Sequence, residues 1–206
     1  MLTSVPFSSR LRTATTSDHH EAELSGFMAA LMAGRANQST YAALVVQLQP
    51  IYLALDTAAA AHRGDPVFGP FFDPRLSRAQ ALQSDLAYLD TAHMVTPATR
   101  SYCQRMTEVA DDALLVLAHH YTRYLGDLSG GRAIAARLAA TLGLTSTQGL
   151  AFYQFDIGAA PVFKNAYRSR LDDLRLPMGD EARFIAEVST AYTHNRQVLA
   201  SLDDLL

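Results

Sequence analysis

Residues 121–132 read Tyr-Thr-Arg-Tyr-Leu-Gly-Asp-Leu-Ser-Gly-Gly-Arg. Three glycines, Gly126, Gly130 and Gly131, fall within six residues of a stretch that otherwise favours a helix. Each glycine inside a helix costs about 0.8–1 kcal/mol relative to alanine, so the three together cost roughly 3 kcal/mol. The spacing predicts that Gly126 and Gly130 share a helix face with Gly131 beside them, and a face without side chains lets a flat ligand lie against the backbone. Close helix packing, or a helix end at the paired glycines, is the structural alternative.

Asp127 lies among these glycines, three and four residues before the pair. A carboxylate in an apolar helix is costly unless it is hydrogen-bonded, often to ordered water. Its position predicts a polar group that overhangs the glycine patch and faces a ligand cavity. An ordinary solvated aspartate is the structural alternative.

The sequence on both sides of this stretch is also helical in pattern. Apolar residues recur at helical spacing, Pro50 interrupts one long apolar run, and Thr96-Pro97 has the form of a helix start. No alternating strand of useful length and no hairpin signal occurs. We therefore predict an all-α fold made of a single domain, residues 1–206. The predicted helices span residues 8–26, 27–33, 39–62 with Ser39 or Thr40 as the cap, 76–89, 97 onward, 111–143, 159–174 and 179–205, with a short element at 148–155.

The composition excludes several classes of protein. Of 206 residues, 49% are hydrophobic and 18% are charged, which is typical of a globular chain and not of a disordered one. The net charge of -3 gives no general attraction to nucleic acid. Cys103 is the single cysteine, so no internal disulfide can form. No targeting segment is visible, and polar residues and Pro50 break the apolar run 42–61, so we expect a cytoplasmic protein that does not span a membrane.

Two adjacent histidines near the start, His19 and His20, are candidate metal ligands. Glu23 lies four residues after His19, where it can accept the proton of the ring nitrogen that does not bind metal. Arg12 lies seven residues before His19 on the same predicted face, about 10 Å along the axis. His20 points about 100° away but also has Glu23 nearby, at i+3, so spacing alone leaves both histidines open. A surface or core histidine is the commoner structural reading.

A basic and aromatic cluster occupies residues 163–170, which contain the only lysine of the chain, Lys164. Lys164, Tyr167 and Arg168 are three or four residues apart and are predicted to share a helix face. An anionic ligand would bind such a face through charge-assisted hydrogen bonds. A solvated helix surface is the commoner case for such a run.

These segments together resemble the heme oxygenase family, in its all-helical, biliverdin-producing form and its soluble bacterial type. The glycine-rich stretch carries the most specific part of the resemblance, which extends from about Leu11 to the end of the chain. The other matching segments are 18–23 (Asp-His-His-Glu-Ala-Glu), 51–55 (Ile-Tyr-Leu-Ala-Leu), 66–70 (Pro-Val-Phe-Gly-Pro), 163–170 (Phe-Lys-Asn-Ala-Tyr-Arg-Ser-Arg) and 192–195 (Tyr-Thr-His-Asn).

The resemblance implies a role for each matching residue. It selects His19 over His20 as the axial ligand of heme iron, because the family's ligand stands four residues before a glutamate. It implies that Asp127 holds a water network beside bound oxygen. The remaining implied site residues are Gly126, Gly130 and Gly131 in a flexible helix over the heme, Tyr52, Arg123 and Asn195 as partners of the water network, Glu23 beside the axial ligand, and Arg12, Tyr121, Lys164 and Arg168 at the heme propionates. Arg132, where many members have glutamine, and the doubled histidine depart from the family pattern.

The implied activity is the oxidative opening of heme at a meso carbon to biliverdin, CO and ferrous iron. Heme is then both cofactor and substrate, O2 is the oxidant, and a separate ferredoxin or NADPH-dependent reductase supplies electrons. The resemblance implies a monomer, while the charge and hydropathy of the sequence predict that the chain binds neither nucleic acid nor membrane. The competing interpretations are a non-catalytic heme carrier or storage protein, which would not need Asp127 over a glycine patch, and a helical protein without a cofactor.

Overall fold

The computed structural model describes residues 5–146 and 148–206. The chain is 74% helical, and in the described ranges the only β pairing consists of isolated bridges from Thr145 to Gln148 and Gly149. The all-α prediction is therefore confirmed. The α-helices are α1 (Phe7–Ala14), α2 (Thr16–Glu23), α3 (Gly26–Met32), α4 (Gln38–Ala61), α5 (Ala79–Leu89), α6 (Pro97–Glu108), α7 (Ala113–Leu142), α8 (Ala160–Asp173) and α9 (Met178–Ala200), with short 3-10 turns at Gly69–Phe71, Pro74–Leu76, Ala151–Tyr153 and Asp203–Leu205.

The first predicted helix is two helices, and the prediction of one continuous segment was wrong. The backbone of Thr15, at φ -107° and ψ 13°, separates α1 from α2. Its hydroxyl donates to the carbonyl oxygen of Leu11 at 2.9 Å, and that of Thr16 donates to Arg12 at 2.7 Å. Hydroxyls that bond back one turn compete with the helical ladder and bend helices, which accounts for a break within a run of threonines.

Helix α4 begins earlier than its predicted cap. The side chain of Asn37 accepts a hydrogen bond from the backbone N–H of Thr40 at 2.9 Å, so Asn37 is the N-cap instead of Ser39 or Thr40. Pro50 lies inside the helix, as expected. Within the described part of the chain, α4 is the one helix whose length and apolar composition would suffice to cross a membrane, but 61% of its apolar window is buried by the rest of the fold. A mostly buried core helix also meets that criterion.

Helix α7 is the central element and runs unbroken through all three glycines. Asp112 caps its start by accepting from the backbone N–H groups of Leu114 and Leu115. Gly143 ends it in the left-handed conformation at φ 67°. The helix packs against α9, α4, α3 and α8. The glycines therefore do not mark a helix end.

Two predicted boundaries near the C-terminus also shift. The short element predicted at 148–155 is a 3-10 turn at Ala151–Tyr153, and the last helix ends at Ala200 instead of Leu205. Helix α8 begins within one residue of its predicted start.

Candidate functional site

A cavity of about 400 Å³ lies between α1 and α2 on one side and α7, α8 and α9 on the other. We name it the histidine cavity. Its size falls within the range of small-molecule and cofactor sites. The lining side chains used below are Arg12, His19, Tyr121, Gly126, Ser129, Arg168 and Tyr192.

The structure brings His19, and not His20, to this cavity. The Nδ1 atom of His19 lies 3.6 Å from Oε2 of Glu23, an ion-pair distance longer than a hydrogen bond, and the two side chains are 49% and 65% exposed. The ring of Tyr192 meets the His19 ring edge-on at 6.0 Å between centroids. His20 is exposed and lies outside the cavity lining. Because Glu23 is beside Nδ1, the Nε2 atom of His19 is the one left for a metal.

The glycines fall on two different faces of α7. A Cβ atom added at Gly126 or Gly130 would meet no atom within 4 Å, so this backbone face is open. Gly131 is buried, and a Cβ there would lie 3.1 Å from Cδ1 of Tyr153. Gly131, predicted to lie beside the bare face, is turned by helical rotation toward the 3-10 turn at Ala151–Tyr153.

Positive charge gathers around the histidine cavity. Arg12 is exposed and Arg168 is partly buried, and both line the cavity. The Nζ atom of Lys164 donates to Oγ of Ser129, a lining residue, at 3.0 Å. Burial, and then the charge of Arg168, lowers the pKa of Lys164. These cations therefore border one opening.

Tyr121 and Tyr167, two aromatic residues predicted to lie near these cations, differ in which part of the protein they contact. Burial raises the pKa of Tyr121, while Arg168 and Arg12 oppose that rise, so Tyr121 lies within reach of the cations. Tyr167, predicted to share a helix face with Lys164 and Arg168, is fully buried. Its hydroxyl is 2.9 Å from Nδ1 of His120, and this core contact removes it from the basic surface.

Asp127 belongs to a network of side chains from three helices. The hydroxyl of Tyr52, on α4, donates a short hydrogen bond to Oδ2 of Asp127. Arg123 donates through Nε to the Tyr52 hydroxyl at 3.1 Å and through Nη1 to Oδ1 of Asn195, on α9. Tyr52 is wholly buried. The structure thus brings together the four residues to which the family resemblance gives a shared network: Tyr52, Arg123, Asp127 and Asn195.

Burial raises the pKa of Asp127 to about 6. The charges of Arg123 and Arg78 and the hydrogen bond from Tyr52 act in the opposite direction and limit the rise. Burial likewise raises the pKa of Tyr52 well above its ordinary value. Tyr52 is therefore a neutral donor at physiological pH, whereas Asp127 can hold or release a proton there.

Asp127 does not line the histidine cavity, contrary to its predicted position over the glycine patch. Each helical residue is rotated 100° from the last, which places Asp127 on the side of α7 next to the bare face of Gly126. There it lines a second cavity of about 470 Å³ together with Tyr153.

Ser129 and Tyr192, which line the histidine cavity, were not predicted from the sequence. Ser129 lies four residues after Leu125, another residue that lines the cavity, and is therefore on the same helix face, a signal that the spacing carried. Tyr192 reaches His19 from α9, and no local pattern indicates that long-range contact.

Comparisons with known proteins, by sequence and by structure, agree on one family. A sequence model of the family described as heme oxygenase matches residues 5–201. The chain is 36% identical to heme oxygenase 1 of Homo sapiens, over 97% of this chain and 72% of that protein, and 33% identical to heme oxygenase 1 of Nostoc sp., over 94% and 84%. It superposes with a TM-score of 0.91 on heme oxygenase-2 from Synechocystis sp. in complex with heme and NO, at 31% identity, covering 98% of this chain and 86% of that one.

Proposed function

The chain belongs to the heme oxygenase family, whose members are enzymes that degrade heme, and from this we propose that it binds heme in the histidine cavity and opens the porphyrin at a meso carbon to give biliverdin, CO and ferrous iron. One observation carries the proposal. A single cavity joins an imidazole with a free Nε2, two arginines and an open glycine backbone. The comparisons favour this activity over a non-catalytic heme carrier.

The residues around the histidine cavity fit heme as a substrate. A neutral imidazole is a ligand that would hold heme iron at this site. We assign that role to His19, with Glu23 orienting the ring through Nδ1. His20 has no access to the cavity and is not assigned a role.

The basic groups fit the two propionates of heme. Arg12 and Arg168 can form charge-assisted hydrogen bonds to carboxylates at the cavity, and Lys164 is held beside it by Ser129. The hydroxyl of Tyr121 adds a neutral donor on α7. Two anchored propionates fix the rotation of the ring about its iron, and we propose that this selects the meso carbon that is opened.

The open backbone at Gly126 and Gly130 fits the flat face of the macrocycle. An added Cβ at either position meets no protein atom within 4 Å, so the space above the helix is free for a ligand. Backbone in close approach would confine a small reactant between the helix and the macrocycle, which is a positioning effect. Gly131 serves the packing of Tyr153 instead.

When heme is bound, its iron supplies the site at which O2 is reduced. The chain contributes the proton handling. Asp127, which is held by Tyr52 and lies on the side of α7 next to the bare glycine face, would act on the reacting oxygen through a water molecule that it orders, and that water would donate the proton. Arg123 cannot give up its proton, so its two hydrogen bonds fix the Tyr52 hydroxyl and the Asn195 amide in place.

Electrons come, in this proposal, from a separate ferredoxin or NADPH-dependent reductase. The sequence contains no GxGxxG dinucleotide fingerprint that would supply them internally. We further propose a monomeric, cytoplasmic enzyme that needs neither nucleic acid nor membrane.

A turnover experiment tests the assignment. Hemin is added to the protein with a chemical reductant or a ferredoxin system in air, and the absorption spectrum is followed. We expect the Soret band to form on binding and then to decay as bilin absorption grows, with biliverdin identified by chromatography. A Soret band that persists under reduction would support the heme-carrier interpretation and contradict the proposal.

A further inference from the structure

The second cavity, the one that Asp127 lines, lies between α7, the 3-10 turn at Ala151–Tyr153 and the start of α8. Its volume is about 470 Å³, which is within the range of small-molecule sites. Part of its wall is apolar and is formed by Leu128, Ala135, Phe155 and Ile157. The heme site described above uses none of these four side chains. The cavity therefore offers a small organic molecule an apolar surface of its own.

The start of α8 presents backbone donors to this cavity. Ala159, Ala160 and Pro161 line it, and no side chain caps this helix of 14 residues. In the part of the chain that the structure describes, the backbone N–H groups of Ala159 and Ala160 form no hydrogen bond. The N-terminus of a helix combines free N–H groups with partial positive charge, and both favour an anion. An anionic group at this end of the cavity would bond to donors that α8 itself leaves free.

Tyr153 is a second and independent indication of a ligand. It lines the cavity and is only 8% exposed, yet its hydroxyl has no hydrogen-bond partner within residues 5–146 and 148–206. Burial raises the pKa of Tyr153 above its ordinary value, so the hydroxyl is a neutral donor at physiological pH. Buried hydroxyl groups normally have a partner, because an unsatisfied one costs free energy. A ligand with an acceptor oxygen in the cavity would supply that partner.

Two arginines add positive charge to the cavity. Arg132 lies exposed on its rim and, among the described residues, has no ion-pair or hydrogen-bond partner. Arg78 lies behind the wall, with its Cζ atom 3.9 Å from the centre of the Phe155 ring. In the described ranges the side chain of Arg78 donates only to backbone carbonyl oxygens, so no carboxylate is bonded to it. The positive potential of these two side chains favours an anion in the cavity.

Asp127 acts in the opposite direction, because its carboxylate would repel an anion placed beside it. It lies five residues before Arg132, about 7.5 Å along the axis of α7. Two contacts show that α8 runs antiparallel to α7, namely Lys164 with Ser129 and Tyr167 with His120. The start of α8 therefore lies beyond Ser129, toward Arg132 and away from Asp127. An anion bound at the start of α8 is thus separated from the carboxylate.

We propose that the second cavity binds a small organic carboxylate. Its anionic group lies between Arg132 and the start of α8 and accepts a hydrogen bond from Tyr153, while its apolar part covers Leu128 and Ala135. An inorganic anion would leave the apolar wall uncovered, and an uncharged apolar molecule would leave the donors unpaired. A molecule with both parts satisfies the whole cavity. Binding requires no heme, so this site is additional to the proposed function and independent of it.

Calorimetric titration of the heme-free protein with phenylbutyrate tests the site. The uncharged phenylbutyramide and inorganic phosphate should each bind at least about tenfold more weakly, because each lacks one of the two parts. We expect Arg132→Gln to weaken phenylbutyrate binding about tenfold and Tyr153→Phe about fivefold, the values for a charged and a neutral hydrogen bond. The matched control is Arg137→Gln, which removes the same charge from an exposed position of α7 that lines neither cavity. It should bind phenylbutyrate like the parent.

Two further measurements locate the bound phenylbutyrate, because the arginines of the histidine cavity also attract carboxylates. NMR should show nuclear Overhauser effects from its phenyl protons to the methyl groups of Leu128 and Ala135, and hemin should not displace it. The proposal is wrong if phenylbutyrate does not bind, if hemin displaces it, or if Arg132→Gln binds it as tightly as Arg137→Gln does. A protein that binds phenylbutyrate as described but does not degrade heme would contradict the proposed function alone.

Discussion

The two walls of the histidine cavity are held in place by different kinds of contact. Helix α2, which carries His19, has no buried residue and is tied to α9 by polar contacts such as that of Asp18 with Ser189 at 2.6 Å. Helix α7 is largely buried, and Asp127 on it is fixed through the wholly buried Tyr52. Exposed polar contacts contribute little and are weakened by salt, whereas buried networks rigidify their surroundings. The wall to which we assign proton handling is therefore preorganised, and we expect heme to supply the apolar contacts that the histidine wall lacks.

The largest effect on turnover should come from a substitution on α2, the exposed wall of the histidine cavity. His19→Ala removes the proposed iron ligand, and we expect turnover to fall more than about 100-fold, beyond the range for residues that only orient a ligand. The Soret spectrum of the complex should lose its histidine-ligated form. His20→Ala is the matched control, since His20 is exposed outside the cavity, and it should resemble the parent. Equal loss in both variants would show that the assignment of the ligand to His19 is wrong.

On the buried wall, Asp127→Asn should separate binding from chemistry. The amide has the shape of the carboxylate but cannot cycle a proton, so we expect ring opening to fall about 100-fold while heme affinity stays within about twofold. Biliverdin yield and Soret titration measure the two quantities. Asp111→Asn, an exposed position before the same helix, is the control. Biliverdin formation at the parental rate would remove Asp127 from the mechanism.

How far the sequence predicts this molecule depends on whether a feature is local or tertiary. The span of α7 and the start of α6 at Thr96 followed from caps and periodicity, which are local. The break at Thr15 depends on hydroxyl groups that compete with the helical ladder, and helical periodicity does not report that competition.

Site features divide in the same way. Spacing and resemblance placed Arg12, His19 and Arg168 together, and all three line one cavity. The positions of Gly131 against Tyr153 and of Tyr167 in the core are set by partners distant in sequence, so no pattern within α7 or α8 indicated them.

The buried carboxyl group of Asp127 should also change how the free energy of unfolding depends on pH. Burial raises the pKa of Asp127 to about 6, against about 3.9 for an aspartate in an unfolded chain. Between these values the folded state binds more protons, so this group makes the protein less stable as pH rises from 4 to 6, by up to about 3 kcal/mol. Above pH 6 the contribution is constant.

Urea unfolding of the parent and of Asp127→Asn across pH 4–8 tests whether Asp127 lowers the free energy of unfolding as pH rises. Another buried group acts in the opposite direction, because burial lowers the pKa of His120 to about 3 and so favours the fold as pH rises. His120 is present in both proteins, and its contribution cancels in the difference between them. We expect that difference to shift in favour of Asp127→Asn as pH rises through 4–6. A difference that does not vary with pH would mean that Asp127 titrates normally.

The smallest effects should distinguish the glycines on the two faces of α7. Gly126→Ala adds a methyl group that meets no atom within 4 Å in the heme-free protein. The free energy of unfolding should therefore rise by about 1 kcal/mol, which is the gain in helix propensity of alanine over glycine. The same methyl group projects into the histidine cavity and should weaken heme binding. Gly131→Ala gains the same propensity but brings its Cβ to 3.1 Å from Tyr153 Cδ1, so it should stabilise less or destabilise, with heme affinity nearly unchanged. Thermal unfolding of the heme-free variants measures stability, and Soret titration measures heme affinity. We expect Gly126→Ala to be the more stable variant and the weaker heme binder of the two, because the two glycines lie on different faces of one helix.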